Sequence, residues 1–193
     1  MKRVCVFCAS RAGARQIYLE AARAMAQALA RRGVGLVYGG GCVGLMGELA
    51  DSMLANGGEV IGVIPRALVA RELAHRGVTE LLIVRSMHDR KARMGELADG
   101  FIALPGGFGT FEEFCEVLTW AQLGLHQKPC ALLNIDGYYD PLLALFDRAV
   151  AEEFLHPVNR RLVLHAGDPG VLLDMMFSYQ APFVEKWLDR EES

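Results

Sequence analysis

No stretch of the 193-residue sequence approaches the roughly 20 consecutive apolar residues that a membrane-spanning helix needs, although 52% of its residues are hydrophobic. Nor is there a surplus of positive charge: 20 Lys and Arg stand against 23 Asp and Glu, a formal charge of −3. That balance offers no footprint for nucleic acid or an anionic membrane, so any basic surface must be local. The five cysteines lack the dense, even spacing of a disulfide framework, which points to reduced thiols in a cytoplasmic protein. Cys5 and Cys8 form a C-x-x-C. On a strand, however, residues three apart face opposite ways, and both read as buried structural thiols. Cys42, inside a glycine loop, is the one whose exposure matters. His75, His88, His126, His156 and His165 are scattered, with no H-E-x-x-H or paired-cysteine spacing, so no metal is expected.

Linkers, repeats and low-complexity segments are also missing. The expectation is a single nucleotide-binding α/β domain over residues 1–180 with a C-terminal tail at 181–193. Met1 to Cys8 starts like a signal peptide, but Arg11 and Arg15 interrupt it after a very short apolar stretch, and it reads as a first buried strand.

What is present is alternation. Strands are expected at Val4–Phe7, Gly35–Tyr38, Val60–Ile64, Thr79–Val84, Phe101–Leu104, Cys130–Leu133 and Leu162–Leu164. Helical periods fall between them, at Ala14–Arg32, Leu45–Ala55, a polar stretch reaching His75, Met87–Leu97, Thr110–Leu123, Pro141–Phe154 and Pro169–Phe177. Strands alternating with helices of this length predict a doubly wound parallel sheet.

Two glycine loops each follow a strand and open a helix: Gly39-Gly40-Gly41 and Pro105-Gly106-Gly107-Phe108-Gly109-Thr110. Ligands of open α/β sheets bind there, because free N–H groups at a helix start favour anions and glycine admits close approach. Thr110 reads as the N-cap of its helix and a hydroxyl donor to phosphate. Glu112 and Glu113 read as first-turn residues, either complementing the dipole or placed at a ribose. In the segment Ser86 to Met94, Arg90 shares a helix face with Met94, and Met87 lies one turn before Arg90. Arginine is suited to bidentate contact with phosphate; a solvated charged face is the plainer reading. His88 reads as an acid–base residue or a helix-surface histidine.

With these three segments in hand, the chain resembles the LONELY GUY family of cytokinin riboside 5′-monophosphate phosphoribohydrolases. P-G-G-x-G-T-x-x-E runs from Pro105 to Glu113, G-G-G-x-x-G-L-M-G from Gly39 to Gly47, and M-H-x-R-K from Met87 to Lys91. The likeness extends from Phe7-Cys8-Ala9-Ser10 to Tyr139-Asp140-Pro141, with Cys8-Ala9-Ser10 where the family has a C-G-S-like turn. The resemblance implies a Rossmann-like homodimer that hydrolyses the N-glycosidic bond of plain or N6-modified adenosine monophosphate. It implies Arg90 and Glu113 as catalytic residues. It implies substrate or phosphate binding by Ser10, Gly40, Gly41, Met87, Arg90, Lys91, Gly106, Gly107, Gly109 and Thr110. No cofactor is expected: the older label of lysine decarboxylase would require pyridoxal phosphate on a Schiff-base lysine. Of Lys2, Lys91, Lys128 and Lys186, only Lys91 stands near a loop.

Two other readings stay open. A dinucleotide-dependent oxidoreductase would explain Gly39-x-Gly41-x-x-Gly44, but the motif follows the second strand, and its acidic partner Glu59 precedes a strand. A nucleotide carrier or sensor would use the same loops without turnover.

Overall fold

Seven short apolar strands pair side by side into one parallel sheet of order β4-β3-β2-β1-β5-β6-β7. The computed structural model describes residues 1–69 and 74–182. The strands are β1 (Arg3–Phe7), β2 (Gly35–Tyr38), β3 (Val60–Pro65), β4 (Glu80–Val84), β5 (Phe101–Ala103), β6 (Cys130–Leu133) and β7 (Val163–Ala166). The helices are α1 (Gln16–Arg31), α2 (Gly44–Ala55), α3 (Met87–Leu97), α4 (Phe108–Gln122), α5 (Asp140–Ala151), α6 (Pro157–Arg160) and α7 (Pro169–Phe177).

Successive strand residues face opposite sides, and each side has its own core. Val4, Val6, Leu36 and Ile102 meet Met25 and Leu29 of α1, Leu49 and Met53 of α2, and Leu172 of α7. Cys5, Phe7, Val37 and Phe101 meet Met94 of α3, Phe114 and Val117 of α4, and Leu143 of α5. Cys5 and Cys8 thus lie in different cores, as their spacing requires. Burying each such Leu or Met contributes about 1.5–3 kcal/mol before entropy is counted.

Chain order sets the site. From β1 the chain steps outward through β2 and β3 to β4, then α3 carries it back to β5 on the other flank of β1. The loops leaving β1 and β5 therefore part in opposite directions, and a cleft opens between them at the carboxyl ends.

Helix ends follow local chemistry. α1 stops where Gly33 takes φ +63°, with Gly33 N–H donating to the Ala30 carbonyl and Val34 N–H to Leu29. α5 ends at Ala151 rather than Phe154, because Glu153 turns to φ 63° and the amides of Phe154 and Leu155 fold back onto the Ala149 carbonyl. The polar segment expected as a helix up to His75 shows only a 3-10 turn at Arg66–Leu68, beyond which residues 70–73 lie outside the described part. Most of the expected tail, residues 183–193, also lies outside it. Among the described residues, no helix is long and apolar enough to cross a membrane.

Cys5, Cys8 and Cys130 are buried, whereas Cys42 and Cys115 are exposed. Burial pushes the Cys130 thiol up to about 12 and raises those of Cys5 and Cys8 strongly. Ellman's reagent is expected to titrate two thiols in the native protein and five after unfolding; rapid reaction of a third would contradict the core placement.

Candidate active site

The cleft has a volume of about 500 Å³, within the range of small-molecule sites. Its walls are the loop after β1 (Cys8 to Gly13), the second glycine loop (Pro105 to Thr110), Leu45 and Met46 of α2, and Met87 and Arg90 of α3. Glu112 and Glu113 of α4 close one side, and Tyr18, Leu68 and Tyr138 complete the rim.

The second glycine loop turns the start of a helix towards the cleft. α4 starts at Phe108, two residues earlier than the sequence suggested, with Gly107 as N-cap and no side chain capping it. Thr110 is therefore the third residue of the helix and buried rather than its cap. The first intrahelical bond runs from Phe111 N–H to the Gly107 carbonyl, so the amides of Phe108, Gly109 and Thr110 precede any intrahelical partner. Backbone donors at a positive dipole end suit a phosphate. Above Gly107 and Gly109 the space is open, whereas a Cβ on Gly106 would overlap the Thr110 side chain. The Tyr138 hydroxyl donates to the Gly106 carbonyl at 2.5 Å, and the Tyr139 hydroxyl to the Leu104 carbonyl at 2.6 Å. These bonds hold the loop from behind.

The same shift moves Glu112 and Glu113 out of the first turn, which holds no acidic residue. Dipole complementation therefore does not account for them.

The first glycine loop does a different job. Gly40 and Gly41, expected at the phosphate, are buried and do not line the cleft. Gly40 takes φ +78° and its carbonyl accepts the His75 amide at 2.9 Å, while Gly41 bridges to Ala74. The loop faces Arg90: Nη2 of Arg90 donates to the Gly39 carbonyl at 3.2 Å, and a Cβ on Gly39 would overlap the guanidinium. Gly44, at φ +62°, lies directly against the Ser10–Arg11 peptide. The glycines thus let neighbouring segments approach, and the cleft is lined by the other loop.

Arg90 is 6% exposed, its Nε has no hydrogen-bond partner, and its Nη1 points to Met87 Sδ at 3.8 Å. Arg90 on α3 and Glu113 on α4 meet in the one cleft with Ser10, Met87, Gly106, Gly107, Gly109 and Thr110. Cys8 lies beneath them. Burial pushes its thiol up, the Glu113 carboxylate pushes it further, and Arg90 opposes that.

Lys91 does not join them. Its Nζ donates to Glu112 Oε1 at 2.6 Å and Glu116 Oε1 at 2.9 Å. Burial alone would lower its pKa, but the two carboxylates outweigh it and hold the ammonium above its ordinary value. The reason is angular: one step along α3 turns the side chain away from the cleft towards α4. His88 is exposed and does not line the cleft.

Sequence reasoning missed Tyr18 and Tyr138. Their rings meet edge to face at 5.8 Å, beside an Arg15–Asp136 ion pair at 2.5 Å. The Tyr138-Tyr139 doublet was a usable signal; Tyr18 was hidden in the period of α1. A second groove, of about 530 Å³, opens at the opposite end of the sheet beside Lys2, Asp99 and Phe177, away from both glycine loops.

Comparison with known proteins adds the following. Residues 46–176 match the family model described as "possible lysine decarboxylase". A probable cytokinin riboside 5′-monophosphate phosphoribohydrolase of Oryza sativa subsp. japonica is 52% identical over 177 residues, 92% of this chain and 79% of that protein. A cytokinin riboside 5′-monophosphate phosphoribohydrolase of Arabidopsis thaliana is 48% identical over 178 residues, 92% of this chain and 84% of its own. Among solved structures, the molybdenum cofactor carrier protein of Chlamydomonas reinhardtii superposes with a TM-score of 0.70 at 21% identity, covering 92% of this chain and 99% of the other. That likeness concerns the fold.

The contact between Gly39 and Arg90 is testable. Gly39→Ala is expected to lower stability by about 1–3 kcal/mol through overpacking. An unchanged urea midpoint would show that the guanidinium does not lie against this loop.

Proposed function

The chain belongs to the family of the cytokinin riboside 5′-monophosphate phosphoribohydrolases, and on that premise we propose that its cleft hydrolyses the N-glycosidic bond of adenosine 5′-monophosphate, N6-modified or plain. The observation that carries this reading is the convergence of Arg90 and Glu113, from two helices, beside the uncapped start of α4.

The reaction breaks the bond between the ribose anomeric carbon and the purine nitrogen and joins that carbon to a water oxygen. One water proton ends on the departing base, and the products are free base and ribose 5-phosphate. The transition state carries oxocarbenium character, as in glycoside hydrolysis. The amides of Phe108, Gly109 and Thr110 would hold the phosphate, and this remote binding energy would position the sugar. Glu113 would lie at the ribose, binding hydroxyls and stabilising the developing positive charge. A guanidinium is a poor proton donor, so the role of Arg90 would be electrostatic, at the purine or the phosphate. The name of the matched family model is not supported by these residues: Lys91, the lysine nearest the loops, is an ammonium held by two carboxylates rather than a free amine.

The cytosol is the compartment its free thiols fit. Pairing with a second copy accords with the exposed apolar side chains of Met87 and Leu123, near α3 and α4; light scattering should give twice the chain mass, and a monomer would refute it.

Glu113→Gln is expected to lower release of adenine or N6-isopentenyladenine by roughly 10²-fold or more while AMP still binds. Near-normal turnover in that variant would remove Glu113 from the mechanism. Wild-type protein that binds the nucleotides but frees no base would favour the carrier reading.

A further inference from the structure

We propose that Lys91 is a positioning residue, which clamps α3 to α4 and so sets Arg90 opposite Glu113 across the cleft. The proposal rests on the hydrolase reading of the same cleft.

Two adjacent pairs carry the argument: Arg90-Lys91 on α3 and Glu112-Glu113 on α4. Neighbours on a helix lie about 100° apart, so both members of a pair cannot aim at one point. The cleft is lined by Arg90 and Glu113, with Glu112 beside Glu113 at its wall, while Lys91 and Glu116 do not line it. Lys91 turns to Glu112 at 2.6 Å and to Glu116 at 2.9 Å. Those two carboxylates stand four residues apart, on one face of α4, and form a two-pronged receptor for the ammonium.

Burial separates the Lys91–Glu116 pair from the Arg93–Glu96 pair on α3. The Lys91 side chain is 11% exposed and that of Glu116 26%, against 48% and 65% for Arg93 and Glu96; Glu112, the other prong, is 56% exposed. A shielded pair is screened less by solvent and salt than a surface pair, so its geometry is held more firmly. Deeper in the sheet, α3 and α4 share a core through Met94 and Phe114. Further along, Gly95 lies opposite the Trp120 ring, a contact with no interlocking side chain on α3. At the cleft end, Lys91 ties together the helices that bear the two groups.

The test compares kcat and KM for base release in four variants. Lys91→Met is expected to lower kcat about 10-fold or more, and Lys91→Arg to restore part of it. Glu112→Gln/Glu116→Gln keeps Lys91 and the side-chain volumes but releases the clamp, and it should lower kcat to a similar level. The triple variant should be no worse than either, because groups that act as a unit are non-additive. If Lys91 instead bound phosphate, Lys91→Met would raise KM at unchanged kcat and the carboxamide pair would leave kcat intact. A kcat within twofold of wild type in the carboxamide pair overturns the clamp, and that variant decides the matter should Lys91→Met not fold. Wild-type protein that frees no base from any nucleoside monophosphate overturns the hydrolase reading, and the proposal with it.

Discussion

A guanidinium withdrawn from water organises the catalytic end of this molecule. Arg90 is almost wholly buried, with a carbonyl at Nη2 and a weak thioether contact at Nη1, and among the described residues Nε has no hydrogen-bond partner. Burying a charge is costly unless its surroundings restore what water provided. The first glycine loop is shaped by that demand. Gly39 has no side chain because the guanidinium occupies its place, and Gly40 adopts a left-handed conformation that lets its carbonyl bond the His75 amide. A loop that looks like a phosphate cradle serves as the seat of a cation.

That division of labour follows from topology. Both glycine loops leave the carboxyl ends of strands, but only the one after β5 lies at the point where the strand order reverses. The loop after β2 is one strand further out. It reaches the cleft through Leu45 and Met46, through Gly44 against the Ser10–Arg11 peptide, and through the arginine it seats.

Electrostatics tie the halves together. Glu112, Glu113 and Glu116 lie in close succession on α4, whose first turn is free of acid and open to an anion. Three carboxylates so near would oppose a phosphate. Lys91 engages two of them, which offsets part of that opposition.

The sequence by itself determined the order of the seven strands and of the helices between them, apart from the polar segment before His75, expected as a helix, and the short α6, not expected. It also marked the strand ends where chemistry gathers, and the family resemblance its motifs carry named Arg90 and Glu113 as candidate groups. Period, breaker residues and motif spacing are local, and a linear chain displays them. At the cleft its expectations and the structure differ in how segments pack. Thr110 was read as a cap because the glycines before it looked like loop, yet packing against Tyr138 and Tyr139 lets the helix begin among them. Gly40, Gly41 and Lys91, which the resemblance implies at the substrate or phosphate, do not line the cleft. Only the tertiary structure decided which glycine loop faces the cleft, where Lys91 turns, and that Tyr18 and Tyr138 complete the rim. Those outcomes depend on how helices from distant segments pack across the sheet, and no run of adjacent residues encodes that packing.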